Sequence, residues 1–82
     1  MVYVDNMRAS FGRMIMCHMV ADSVDELHAM ADKIGINRRW FQDNPHHPHY
    51  DVTLKKKALA VKYGAKEITM QELVSITNRR KK

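Results

Sequence analysis

Histidine and aspartate are the residues of this chain best equipped to do chemistry. The segment Pro45-His46-His47-Pro48-His49-Tyr50-Asp51 gathers three imidazoles, a phenol and a carboxylate. Imidazole and carboxylate donors suit zinc, manganese or nickel, although this spacing matches no signature of the H-E-x-x-H kind. His18 stands inside the apolar run Met14 to Ala21, in phase with Met14, Met16 and Val20. A histidine alone there would simply bond to backbone. His28 comes ten residues later, at the edge of an apolar helical face and four residues before Asp32. Consecutive elements usually pack together, so both imidazoles are expected at one cleft. Asp5 and Asp22 each follow a strand-like stretch, where open α/β sheets collect their ligands. Asp22 also neighbours a helix start, which gives it an ordinary capping role. The expected catalytic set is Asp5, His18, His28, His49 and Asp51, with Asp5, His18, His49 and Asp51 as the ligands of a divalent metal. Cys17 lies in the apolar run, where a thiol is usually inert.

The elements that must hold these residues follow from local patterning. Val2-Tyr3-Val4-Asp5 alternates and reads as a short strand. Residues 13 to 21 are apolar on both alternating faces, as in a strand covered on both sides. Ser23-Val24-Asp25-Glu26 is a capping box. Val24, Leu27, Ala31 and Ile34 then recur at helical spacing, and Gly35 sits where a left-handed cap ends a helix. Residues 36 to 50 read as a long ordered loop anchored by Trp40 and Phe41. A second helix is expected from about Thr53 to Tyr63, with Leu54, Ala58 and Val61 on one face. After a short strand from 65 to 68, Thr69-Met70-Gln71-Glu72 opens a third helix. The order implies an α/β fold: a small single domain over 1–78, a short, mainly parallel sheet and about three helices. Residues 79–82 would form a basic C-terminal tail.

The chain has 82 residues and a net charge of +5, which allows one domain with a thin core. No apolar run approaches the roughly 18 residues of a membrane span. The N-terminus does not read as a signal peptide, and one cysteine fits a reducing cytoplasm. Charge is divided unevenly: residues 1–51 carry −2 and residues 52–82 carry +7. Lys55, Lys56 and Lys57 open the second helix, whose free amides suit a phosphate. Arg38 and Arg39 flank Trp40, a basic-aromatic combination able to stack a base. No nucleic-acid motif of known docking geometry is present.

Four segments carry a resemblance: Tyr3-Val4-Asp5; His18-Met19-Val20-Ala21-Asp22 with Glu26-Leu27-His28; Arg39-Trp40-Phe41-Gln42; and His49-Tyr50-Asp51-Val52-Thr53 leading to Ala58 and Gly64-Ala65. Over nearly its whole length the chain resembles the small domain of unknown function numbered four thousand and thirty-one, found in bacterial and phage proteomes. The resemblance implies a shared site at Asp5, His18, Asp22, His28, His49 and Asp51, but no reaction. Where that family's pattern often has an aromatic two residues before the first histidine, this chain has Met16.

The leading expectation is therefore a cytoplasmic, phage-type or bacterial domain that binds a phosphate-bearing ligand, nucleic acid or nucleotide. A zinc, manganese or magnesium ion in the His/Asp cleft would make it a metal-dependent phosphoester hydrolase. Arg38, Arg39, Lys55, Lys56 and Lys57 would neutralise the phosphate. The competing expectation is a protein-interaction module, such as a phage-encoded inhibitor of a host factor, or a homodimer.

Overall fold

A computed structural model of the chain describes residues 1–6, 9–11, 14–44 and 47–80, with only the backbone described at 9–11, 14 and 77–80. Arg8, Arg13 and His46 lie outside the described residues. The elements run β1 (Val2–Asp5), β2 (Ala9–Phe11), β3 (Met14–Ala21), α1 (Val24–Ile34), a 3-10 turn (Arg38–Trp40), β4 (Tyr50–Thr53), α2 (Leu54–Lys62), β5 (Lys66–Ile68) and α3 (Met70–Arg80).

The long strand β3 organises the sheet. Met19 pairs with Val4 of β1 and with Tyr50 of β4, and Met16 pairs with Ala9 of β2 and with Thr53 of β4. β1 and β2 therefore share one edge of β3, and β4 takes the other. β5 completes the sheet on the far side of β1, in parallel. The other three pairings are antiparallel.

This corrects the expectation of a mainly parallel sheet. β3 is apolar on both faces because helices cover both, and that covering is what the sequence pattern records. It does not record strand direction. A central strand of a mixed sheet reads the same way.

Alternation sorts β3 into two cores. Cys17, Met19 and Ala21 point towards α1 and α2 and join Leu27, Met30, Ala31, Ile34, Tyr50 and Val52 in the larger cluster. Val20 points the opposite way and joins Ile68, Leu73 and Ile76 under α3. The fold is thus three layers: α1 and α2, the sheet, and α3.

Both capping boxes form. The Glu26 amide donates to Ser23 Oγ at 3.2 Å and the Glu72 amide to Thr69 Oγ1 at 3.1 Å. Gly35 closes α1 at φ +80°, a conformation that L side chains rarely adopt. No helix among the described residues is long and apolar enough to cross a membrane.

α2 departs from expectation in its rotation. Leu54, Ala58 and Val61, the apolar stripe of its sequence, face solvent, while Ala60 is buried and Lys56 and Lys57 are half-buried. β4 ends at Thr53 and α2 begins at Leu54, so the strand sets the phase of the helix. That phase sends Lys56 to the end of α1, where its Nζ donates to the Ile34 carbonyl at 2.7 Å. It also sends Lys57 to Glu67 on β5. The long aliphatic stems supply the packing that the apolar stripe does not.

Candidate functional site

Strand register brings the site together. One step beyond the Val4–Met19 pair, β1 places Asp5 opposite His18, while β4 pairs Asp51 with His18 from the other edge. Directly opposed residues share a face of the sheet, so three adjacent strands present Asp5, His18 and Asp51 side by side. His49 lies two residues before Asp51 and so faces the same way.

Asp5 is fully buried, and its carboxylate is used twice by one residue. Oδ1 accepts the His18 backbone N–H at 2.9 Å, and Oδ2 meets His18 Nδ1 at 2.8 Å. An ionised carboxylate only accepts, so the proton of this contact belongs to Nδ1. The bond to Asp5 raises the His18 pKa above its ordinary value; burial opposes that rise, and the charges of Asp5 and Asp51 add to it. In the neutral ring the lone pair is left on Nε2. His49 is fixed by the same logic, since its Nδ1 lies 2.9 Å from the His47 carbonyl. A carbonyl also only accepts, so His49 too turns a bare Nε2 outward.

Both free nitrogens converge on one carboxylate oxygen. Asp51 Oδ1 is 3.4 Å from His49 Nε2 and 3.8 Å from His18 Nε2. The three donor atoms lie within 4.8 Å of one another. Donors about 2.1 Å from a tetrahedral ion stand roughly 3.4 Å apart, so small rotations would close this set on one cation. Asp5 stands behind His18 as the carboxylate that orients a ligating imidazole and raises its basicity. It is not itself one of the three donors.

Beside this cluster is a cleft of about 160 Å³. His18 and Val20 of β3, with His47 and His49, line it from the sheet, and Met70, Leu73 and Val74 line it from α3. A second depression of about 320 Å³, between Tyr3, Lys66 and Glu72, contains no imidazole. The histidine cleft is the one with the means for chemistry.

A scan against family models matches residues 2–80 to "Protein of unknown function (DUF4031)". The chain belongs to the DUF4031 family. No curated protein is matched. No solved structure is matched either.

The remaining expected residues of this DUF4031 chain lie elsewhere. His28 is on the α1 side of the sheet, its Nδ1 2.7 Å from the Tyr50 hydroxyl and its ring edge-on to Phe41. Tyr50 alternates with His49 and Asp51 and so points through the sheet, away from the cleft. Burial is the first cause of its raised pKa. Asp22 is exposed beside Tyr3, with the hydroxyl 3.4 Å away. Because β1 and β3 are antiparallel, their carboxyl ends fall at opposite ends of the sheet, which separates Asp22 from Asp5.

The five basic residues do not form a wall beside the cleft. Arg38 is bonded through Nε and an Nη to both Asp32 oxygens, at 3.2 and 2.9 Å. The Arg39 guanidinium sits 4.9 Å over the exposed Trp40 ring. Lys56 and Lys57 are engaged as described, and Lys55 is exposed on the same helix, which packs on the face opposite α3.

Two features escaped the sequence reading. One is His47, whose ring stacks on His49 at 5.2 Å and 14°. His47, His49 and Asp51 recur with period two, a strand signal hidden by reading the whole stretch as loop. The other is α3, whose apolar stripe closes the cleft as well as covering the sheet.

Proposed function

We propose that this DUF4031 chain binds a divalent cation through His18 Nε2, His49 Nε2 and Asp51 Oδ1 and acts as a metal-dependent phosphoester hydrolase. The observation that carries the reading is a geometry that the two imidazoles share. Each imidazole has its Nδ1 committed to an acceptor, and each presents its Nε2 to one carboxylate oxygen. Two nitrogens and one oxygen leave a tetrahedral zinc an open position, the hallmark of a catalytic rather than structural site.

A bound ion would supply a nucleophilic water near neutral pH, held by His18, His49 and Asp51. In the hydrolysis, water oxygen would add to phosphorus as the P–O bond to the leaving alcohol breaks, one water proton going to the alcohol and the other staying on the phosphate. The cation would also neutralise the phosphate oxygens, since no lysine or arginine among the described residues lines the cleft. The first turn of α3 adjoins the cleft at Met70, where a helix start adds a favourable field for an anion.

Calorimetric titration of the full chain with Zn²⁺ and Mn²⁺ tests the site. One ion per chain, lost on His49→Ala, is expected. Absence of binding heat for both ions would end this reading.

A second reading, a protein-interaction module, draws on α2. Leu54, Ala58 and Val61 form an exposed apolar stripe at helical spacing, with exposed Lys55 and Lys62 beside it. An acidic amphipathic segment would complement that surface. Leu54→Asp with Val61→Asp should abolish such docking while leaving cation binding intact.

A further inference from the structure

We infer that the cleft beside the three donors is a ring pocket, and that the substrate of this site carries one planar, uncharged ring next to the group that is cleaved. The inference deepens the proposed function and rests on it for the reacting end of the substrate. The ring end rests on separate observations.

The first is size and lining. The cleft measures about 160 Å³, and its apolar lining is Val20 beside His18 on β3 with Met70, Leu73 and Val74 on α3. An enclosed apolar cavity of about 150 Å³ accepts one benzene, so this open cleft has the volume for a single six-membered ring. Val20 and Leu73 already belong to the core under α3. Val74 borders the cleft yet remains 46% exposed. A guest seated there would remove apolar surface from water that folding has left uncovered.

The second is shape. His47 and His49 lie almost parallel, while His18 stands at 76° to His49 with centroids 5.2 Å apart. The three imidazoles that line the cleft thus lie in two orientations, and aromatic groups favour offset-stacked and edge-on contact with a planar guest. The third is charge. Among the described residues, none that lines the cleft is Lys, Arg, Asp or Glu. A charged group entering it would lose hydration without a partner, so the ring is neutral and the anionic part of the substrate stays at the cation. Phenyl phosphoesters have this chemistry.

Two experiments separate the ring pocket from the cation site. In the first, phenol is titrated into the metal-free full chain while the methyl resonances of Met70, Leu73 and Val74 are followed by NMR. Saturable shifts confined to those methyls, and lost in Val74→Glu, are expected. No saturable shift, or equal shifts from linear hexanol, overturns the ring pocket whatever the chain does with metals.

In the second, phenylphosphonate and methylphosphonate are titrated into the Zn²⁺-loaded chain. The phenyl compound should bind about tenfold more tightly, and Val74→Glu should erase that preference. Equal affinities for the two phosphonates overturn the inference. A chain that takes up no Zn²⁺ but still binds phenol removes the hydrolase reading and leaves the ring pocket standing.

Discussion

His18 and His28 are both half-buried, and both make a short bond through Nδ1, yet they lie on opposite faces of one sheet and do different work. His18 meets a buried carboxylate, which fixes the proton on Nδ1 and leaves Nε2 facing Asp51. His28 meets a phenol, and its ring packs edge-on against Phe41 and Tyr50. No second donor set gathers around it among the described residues. The partner of Nδ1, together with what Nε2 faces, decides whether a histidine serves packing or a site.

Removing the partner on the cleft side should have the largest effect. Asp5→Leu leaves the His18 N–H and Nδ1–H without the acceptor that now sits at a fully buried position. Losing one member of a buried pair costs about 3 kcal/mol or more, readable as a lower urea midpoint. Asp5→Asn is gentler and more informative. Its amide can still accept from the His18 N–H, but it offers Nδ1 a donor, which pushes the ring proton onto Nε2. Cation affinity should fall about 10- to 100-fold while the fold survives. Unchanged affinity would place Asp5 outside the site.

Next come the imidazoles themselves. His18→Ala and His49→Ala should each abolish measurable Zn²⁺ binding by calorimetry. His28→Ala should leave it unchanged and cost about 1–2 kcal/mol, for a lost hydrogen bond and ring contact. If His28→Ala weakens Zn²⁺ binding as strongly as His18→Ala does, the two-faced comparison fails.

The same two faces show how much was legible beforehand. Both capping boxes, the Gly35 terminus and the strand containing His18 could be read locally, because caps and apolar periods act within a few residues. Asp5, His18, His49 and Asp51 could each be named as candidates from residue type alone. Their union depends on register, a non-local property: Asp5 and Asp51 are 46 positions apart, and only β3 makes them neighbours. His28 was expected in the same cleft because α1 does follow β3. Which face α1 covers is not written in either segment. The rotation of α2 misled for a related reason: its direct connection to β4 overrode its own apolar stripe.

A smaller effect separates the faces by pH. The folded-state pKa of His18 is raised, chiefly by its bond to Asp5. The charged pair therefore stabilises the fold fully below the unfolded value of about 6.5. That contribution is lost as pH rises through the folded value. Urea midpoints of the metal-free chain in chelator, measured from pH 5.5 to 8.5, should decline across this window. The decline should flatten in Asp5→Asn and persist in His28→Ala. Zn²⁺ affinity should run the opposite way, because the ion competes with a proton for Nε2. It should strengthen as His18 deprotonates.

The smallest expected effect concerns the lysines of α2. A sequence with Lys55, Lys56 and Lys57 at a helix start invites a phosphate site, and the structure separates the three. Lys56 caps the Ile34 carbonyl, Lys57 pairs with Glu67, and Lys55 is exposed. None lines the cleft. Lys55→Ala should therefore leave phenylphosphonate affinity within twofold on the Zn²⁺-loaded chain, and what change there is should disappear at raised salt. Lys56→Met keeps the stem and drops only the bond to the Ile34 carbonyl, at a cost of about 1 kcal/mol and no loss of ligand. A tenfold loss of phosphonate affinity in Lys55→Ala would move the anion to the α1 and α2 side of the sheet. The cation held by His18, His49 and Asp51 would then no longer be where the substrate's charge is held.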